Sequence, residues 1–343
     1  DGSNRMLKVT GTTIIGDGSS AAGTAKLYSS GSTLSLGEAL TSDYGLNVKQ
    51  GGTFEGTSGA APTGDHTIGS FVNANHADSI TKLTTHANGT IVTSEKSTSG
   101  SYGYAWTVYQ NSTFDDSNGL VTFTGASLVS NSTALYGIHD KHLYNVTVNA
   151  SGKTYYLKTG MIIDNNLTIT AGTLDTGGDS DSNLTVTGNI DVDGGNLTIN
   201  DSAVSCAKLI VESGDTLTAA HSSNALTING VGIGNNRSCD MTGIVSGTLN
   251  IILTHTGTRT DDFTCSSGFI NNLTINHASA NTTIGRDTTI AGDITITAGT
   301  LTCGSDDLTA GSLTIASGGT FSASSGTTTI TTGAATYSAE GNF

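Results

Sequence analysis

The sequence predicts an all-β chain wound as a parallel β-solenoid (β-helix). Three observations carry that reading: an internal repeat, a period-two alternation of apolar residues with Thr, and turn residues at short intervals. The segment Leu167–Gly177, LTITAGTLDTG, returns at Ile294–Gly304 as ITITAGTLTCG. Both copies sit in a longer match of Tyr144–Gly177 onto Asn271–Gly304, which needs no gap and is identical at 12 of 34 positions. In LTIT, Leu167 and Ile169 alternate with Thr168 and Thr170, so a strand puts the aliphatics on one face and the threonines on the other. Thr and Ile are stiff at χ1, which suits a pleated strand and crowds a helix. Ala171-Gly172 breaks the run, and Thr173-Leu174 opens the next. Similar short units recur at Leu184–Gly188, Asn196–Asn200, Leu226–Gly230, Asn272–Asn276 and Ser312–Gly318. None buries much surface alone, but stacked units share one apolar interior. The competing arrangement, for the whole chain or for portions of it, is an antiparallel β-sandwich.

Taken in order, residues 1–99 read as an N-terminal β-rich region of short strands and frequent corners. Its strands are Leu7–Thr10, Thr13–Gly16, Lys26–Ser30, Thr33–Leu36, Leu46–Gln50 and Thr53–Glu55, with a GG hairpin or corner signal between the last two. GTSGAAPTGD at 56–65 is the most loop-like stretch and holds the only proline, Pro62. Alternation returns over 79–95. Residues 100–230 form a first solenoid module with an aromatic-rich start that includes Tyr102, Tyr104, Trp106, Tyr109, Phe114, Phe123, Tyr136 and Tyr144. In YAWTVY a period of two places Tyr104, Trp106 and Val108 on one face. The aromatic-rich part is either a packed core stack or, with Tyr104, Trp106 and Tyr109 exposed, a platform on which sugar rings stack. Residues 231–343 form a second module that carries the repeat at 271–304. The strand-like AATYSAEGNF at its end implies that the polypeptide continues, and the opening Asp1 reads as a mature form or part of a longer chain. Leu36–Thr41 (LGEALT) is the best helical candidate and is too short to stand alone.

Composition narrows the function classes. The 343 residues include 46 Gly and only 12% charged residues, against the usual quarter. Thr, Ser, Asn and Gly supply the polar surface instead, a style associated with extracellular proteins. With 13 Lys plus Arg, a net charge of −15 and no basic stripe, nucleic-acid binding is not expected. The same field repels anionic membranes and polyanionic sugars. No apolar run approaches the ~18–20 residues of a membrane span, so membrane insertion is not expected.

Candidate chemistry is sparse. Gly178–Asn183 (GDSDSN) and Asp191–Gly195 (DVDGG) space carboxylates at every second residue, so Asp179, Asp181, Asp191 and Asp193 are candidate oxygen ligands for Ca²⁺, the only cofactor the sequence suggests. Leu184 stands where a calcium-binding helix–loop–helix needs Gly, and Asp306-Asp307 one module on suggests a repeated structural corner. His139 and His142 in IHDKH have a spacing that can ligate a metal on a turn. His255, Arg259, Asp261 and Asp262 are the closest approach to a catalytic group, but neighbours on a strand point to opposite faces. No GxSxG elbow is present. Cys206, Cys239, Cys265 and Cys303 lack the paired spacing of a zinc site. They are either small core hydrophobes or, for Cys239 and Cys265, a disulfide. The Asn-x-Thr triplets at Asn145, Asn166, Asn196 and Asn272 coincide with strand entries, where Asn serves as a corner or ladder residue, so glycosylation is not inferred.

The pattern LYNVTVNASGK…LTITAGTLDTGG…LTVTGN, repeated as INNLTINHAS…ITITAGTL, resembles the Thr/Gly/Asn-rich repeats of phage virion fibre and decoration proteins. It is also similar in style to bacterial surface adhesin-like β-solenoids. The likeness is strongest over 143–230 and 269–335 and carries no catalytic residue with it. It implies a non-enzymatic, extracellular part of a virion surface, such as a fibre, spike or decoration protein, that spaces and attaches to a host-surface glycan. Homo-oligomers, often trimers, and contacts with other virion proteins go with that implication. Open solenoid ends invite edge pairing, which also predicts self-association into an oligomer or array. A cell-surface adhesin, surface-layer or filament protein is the alternative, and a secreted polysaccharide-active β-helix enzyme the third reading.

Overall fold

Alternating apolar and Thr residues become strands that pair in parallel with the strands of the preceding and following turns. Parallel neighbours cannot be joined by a tight hairpin, so the chain must travel round before it returns. Here the journey runs through two further strand faces, and each circuit is one coil of a β-solenoid. The sandwich arrangement is thereby set aside. The computed structural model describes residues 6–16, 25–29, 33–37, 44–49, 52–56, 66–68, 70–73, 80–82, 90–94, 103–109, 111–115, 119–127, 132–136, 142–177, 181–230, 238–255, 257–265, 270–323, 325–332 and 335–337. No helix occurs among them; the helical candidate LGEALT lies largely outside the described residues. Two compact units divide the chain, Asp1–Asn183 and Leu184–Phe343. The boundaries drawn from composition at 99 and 230 fall inside these units.

In the first unit, one face stacks Met6–Val9, Thr33–Leu36, His66–Ile68, Thr90–Ser94, Leu120–Ser127 and the leading parts of Asn145–Leu157 and Leu167–Asp175. A second stacks Thr13–Ile15, Leu46–Val48, Phe71–Asn73, Gly103–Val108, Ser132–Tyr136 and the trailing part of Asn145–Leu157. The third is a four-stranded sheet of Ala25–Ser29, Gly52–Gly56, Ile80–Lys82 and Thr113–Asp115. All six strands expected before residue 60 are present, and the last two do not form a hairpin, since each pairs with strands of other coils; of the GG signal, Gly52 opens the strand and Gly51 lies outside the described residues.

Register turns sequence spacing into core. Leu36, Ile68, Val92, Phe123, Val148 and Ile169 lie one above another, all buried. Leu46, Phe71, Trp106, Leu135 and Leu157 form a second buried stack. The step from Val148 to Ile169 is the shortest in these stacks and that from Phe71 to Trp106 the longest, so corners of very different length close onto the same register.

The second unit repeats the plan with shorter circuits. Leu184, Val204, Leu226, Ile251, Leu273, Ile294 and Leu313 make one buried column. Cys206, Ile228, Leu253, Ile275, Ile296 and Ile315 make the column beside it. The internal repeat is now explained. Each copy holds two consecutive coils joined by a circuit of the same length: Val146 beneath Leu167, and Leu273 beneath Ile294. Each also holds the same corner, where Gly172 and Gly299 take φ of 80° and 94°. That left-handed backbone is open to Gly and costly for other residues. A Cβ on Gly172 would also run into the carbonyl oxygen of Ala150 in the coil below.

Asparagines hold neighbouring coils together at strand entries. Asn250 donates from Nδ2 to the carbonyls of Ser222 (2.7 Å) and Asn224 (2.9 Å), and its Oδ1 accepts from Asn271 (3.0 Å) and Asn272 (2.9 Å). Asn272 Oδ1 in turn accepts the amide N–H of Asp293 at 2.8 Å. Asn145 Oδ1 accepts from Asn165 and from the Asn166 amide. Asn145 and Asn272, both opening Asn-x-Thr triplets, are therefore rungs of a side-chain ladder, as their strand-entry position suggested. The acidic corner behaves alike: Asp287 Oδ1 accepts the Asp307 amide at 2.8 Å, and Asp307 Oδ1 accepts the Thr327 amide at 2.7 Å.

Candidate functional site

The strand Gly103–Val108 decides where the aromatic side chains go. Its register against Ser132–Tyr136 runs Tyr104 to Ala134 and then Trp106 to Leu135, so one residue, Ala105, is extra. A bulge of this kind switches the alternation and re-aims a side chain. Trp106 turns inward and is 1% exposed, 4.5 Å from the Phe71 ring and edge-on to Phe114 and Phe123 at 5.9 and 6.0 Å. The expectation that Tyr104 and Trp106 share a face is corrected by the bulge. Trp106 is core and cannot serve as a sugar platform.

Outside the bulge the tyrosines converge. Tyr104 meets Tyr136 edge-on with centroids 5.9 Å apart, and Tyr136 meets Tyr109 at 6.0 Å. Tyr109 and Tyr136 are each 37% exposed. Tyr44 brings its hydroxyl within 3.4 Å of Thr107 Oγ1. Together Tyr44, Tyr104, Thr107, Tyr109 and Tyr136 line an open cleft of about 250 Å³, with no charged side chain in its wall among the described residues. Burial of the Tyr109 phenol, then the neighbouring Tyr136 and Tyr104, push its pKa above the usual tyrosine value, so it stays a neutral donor and acceptor. The Ser112 hydroxyl, at 2.7 Å from the Tyr109 carbonyl, anchors the backbone there. Of the sequence-predicted platform, Tyr104 and Tyr109 remain, while Tyr136 and Tyr44 were missed. Tyr136 sits directly opposite Thr107, on the next coil. That proximity is a matter of register, which local sequence does not print.

The acidic turn at Asp191 is tied into the coil ladder. Burial, then the charge of Asp193, push the Asp191 carboxyl above its ordinary range, with Lys208 opposing and Asp215 adding to the rise. Asp215 Oδ1 accepts the Gly194 amide at 2.8 Å, which joins this turn to the next coil. Asp179 lies outside the described residues, and Asp181 is exposed beside an isolated bridge from Gly177. Among the described residues no three His, Cys, Asp or Glu side chains converge as metal ligands. His142 pairs with Asp164 at 2.9 Å on the exposed surface, and His139 lies outside the described residues.

Register also works against the expected Cys239–Cys265 disulfide. It puts Cys239 opposite Phe263 and Cys265 opposite Met241, so the two cysteines are out of step along adjacent strands, and Cys239 is a buried thiol. Cys206 fills a core column as a small hydrophobe, and burial pushes its thiol up to about 12. His255 is fully buried with Nε2 2.9 Å from Thr282 Oγ1, out of reach of a polymeric substrate. No protein-family model, characterised protein or solved structure matches the chain.

Proposed function

We propose that this chain is a non-catalytic structural element of an exposed surface, a stiff spacer that also offers a place of attachment. A virion fibre, spike or decoration protein is the identity we favour, working as a homo-oligomer or array. The observation that carries the proposal is the closed economy of each unit. Coil after coil repeats one register, with columns such as Leu184 to Leu313 inside and Thr and Asn ladders outside. Each coil rests on its neighbours alone, so length is added without new chemistry, which suits a spacer. His255, one of the four residues nearest to a catalytic group in the sequence, is buried in the wall and lends no support to turnover, while the side chains of Arg259, Asp261 and Asp262 lie outside the described residues.

Immunogold electron microscopy of the source material tests the proposal. Label on capsids or tails is the expected result. Label on cell envelopes or free filaments moves the identity to an adhesin or surface-layer protein and keeps the structural role. Label confined to cell interiors, or polysaccharide turnover by the purified chain, overturns it.

A further inference from the structure

We propose that the cleft lined by Tyr44, Tyr104, Thr107, Tyr109 and Tyr136 binds an uncharged saccharide. The inference rests on the reading of the chain as an exposed attachment element and names what that element would hold. A pyranose ring has an apolar C–H face and a rim of hydroxyls, and the cleft matches both. The phenol rings give flat, rigid apolar area at low entropic cost, with two χ angles each. Four phenol hydroxyls line the cleft and a phenol can both donate and accept, the versatility a rim of sugar hydroxyls requires, while the buried Thr107 hydroxyl, 3.4 Å from that of Tyr44, holds the Tyr44 ring in place. The Tyr104–Tyr136 and Tyr136–Tyr109 edge-on contacts brace the rings against one another, so the wall is set before a ligand arrives.

Charge and size narrow the ligand further. Among the described residues no Lys, Arg or His lines the cleft to meet a carboxylate or sulfate. The chain as a whole carries −15, which opposes the approach of sialylated or uronic sugars. About 250 Å³ lies just under the roughly 300–1,000 Å³ of drug-sized ligand sites, room for a terminal sugar unit entering an open depression. A proline-rich peptide also favours aromatic grooves, but it presents few hydroxyl partners for so many phenols. The bulge at Ala105 is what assembles the site: without it Tyr104 would follow Trp106 into the core.

The test uses the purified full chain and ligand-observed NMR with a panel of neutral oligosaccharides, sialylated and uronic counterparts, and a proline-rich peptide. Binding of a neutral member is expected, weakened about tenfold by Tyr109→Ala and by Tyr136→Ala with circular dichroism unchanged. Tyr136→Phe keeps the ring and the fold, and is expected to retain most of the affinity. If no neutral sugar binds, if only anionic sugars or the peptide bind, or if both Ala variants bind as well as the parent, the site is refuted. Surface labelling without sugar binding removes this site and leaves the attachment reading intact. Sugar binding by a chain absent from exposed surfaces does the reverse.

Discussion

Gly172 combines a left-handed φ with a coil passing directly beneath it, whereas Gly152, with φ of 68°, has open space where its Cβ would go. Gly152→Ala is therefore expected to cost about 1 kcal/mol and Gly172→Ala at least about 2–3 kcal/mol in denaturant unfolding. Equal losses would refute the role given to the Ala150 contact. Asp191 makes a second prediction. Its folded pKa is raised, so the unfolded chain ionises first as pH climbs. The penalty on the folded state is absent below the unfolded value of about 3.9, sets in above it and is complete above the folded value. Asp191→Asn should thus melt higher than the parent at pH 7, by less than about 3 °C because the carboxyl is partly solvated, and match it at pH 3. An offset that is the same at both pH values would mean that charge is not the cause. Such details were unevenly legible in the sequence. The inward run of Leu167 and Ile169 could be read because period two is local. The parting of Tyr104 from Trp106 could not, because Ala105 becomes a bulge only against the strand of the next coil.

Strands in this chain are mostly short, and the ladders between them do the joining. Asn250 makes four side-chain hydrogen bonds that link three coils. At about 1 kcal/mol net for each typical bond, and less for those still open to water, Asn250→Ala should destabilise by about 2–3 kcal/mol. Asn250→Asp, which sets a carboxylate oxygen against the Ser222 and Asn224 carbonyls, should cost at least as much as Ala at pH 7. A loss below the roughly 0.5 kcal/mol of a single weak hydrogen bond would show that water replaces the ladder. Strand positions were legible from Thr alternation and turn residues. Which strand lies over which was legible only where the repeat happened to span two consecutive coils, as it does at Val146/Leu167 and Leu273/Ile294.

Within each unit, contacts run almost entirely between adjacent coils, which makes the stability of the molecule a chain of nearest-neighbour terms. Phe123 sits between Val92 and Val148, and Phe123→Ala should cost about 3–5 kcal/mol. Hydrogen exchange should then quicken first in 90–94 and 145–148, with little change in the coils around Ile294 and Leu313. Uniform acceleration across the chain would argue for a single cooperative body instead. The uneven circuits add a last consequence. The column through Leu226, Ile251, Leu273, Ile294 and Leu313 is reached by a longer path from Leu226 to Ile251 than from Ile294 to Leu313, yet every arrival lands on the same aliphatic line. Corners absorb the differences and the columns do not register them. Removing one complete circuit would bring an equivalent face against an equivalent face. Reach in such a unit is therefore counted in integers, one step of about 4.8 Å at a time, and gene duplication or loss of a single circuit's codons is the natural tool for setting it.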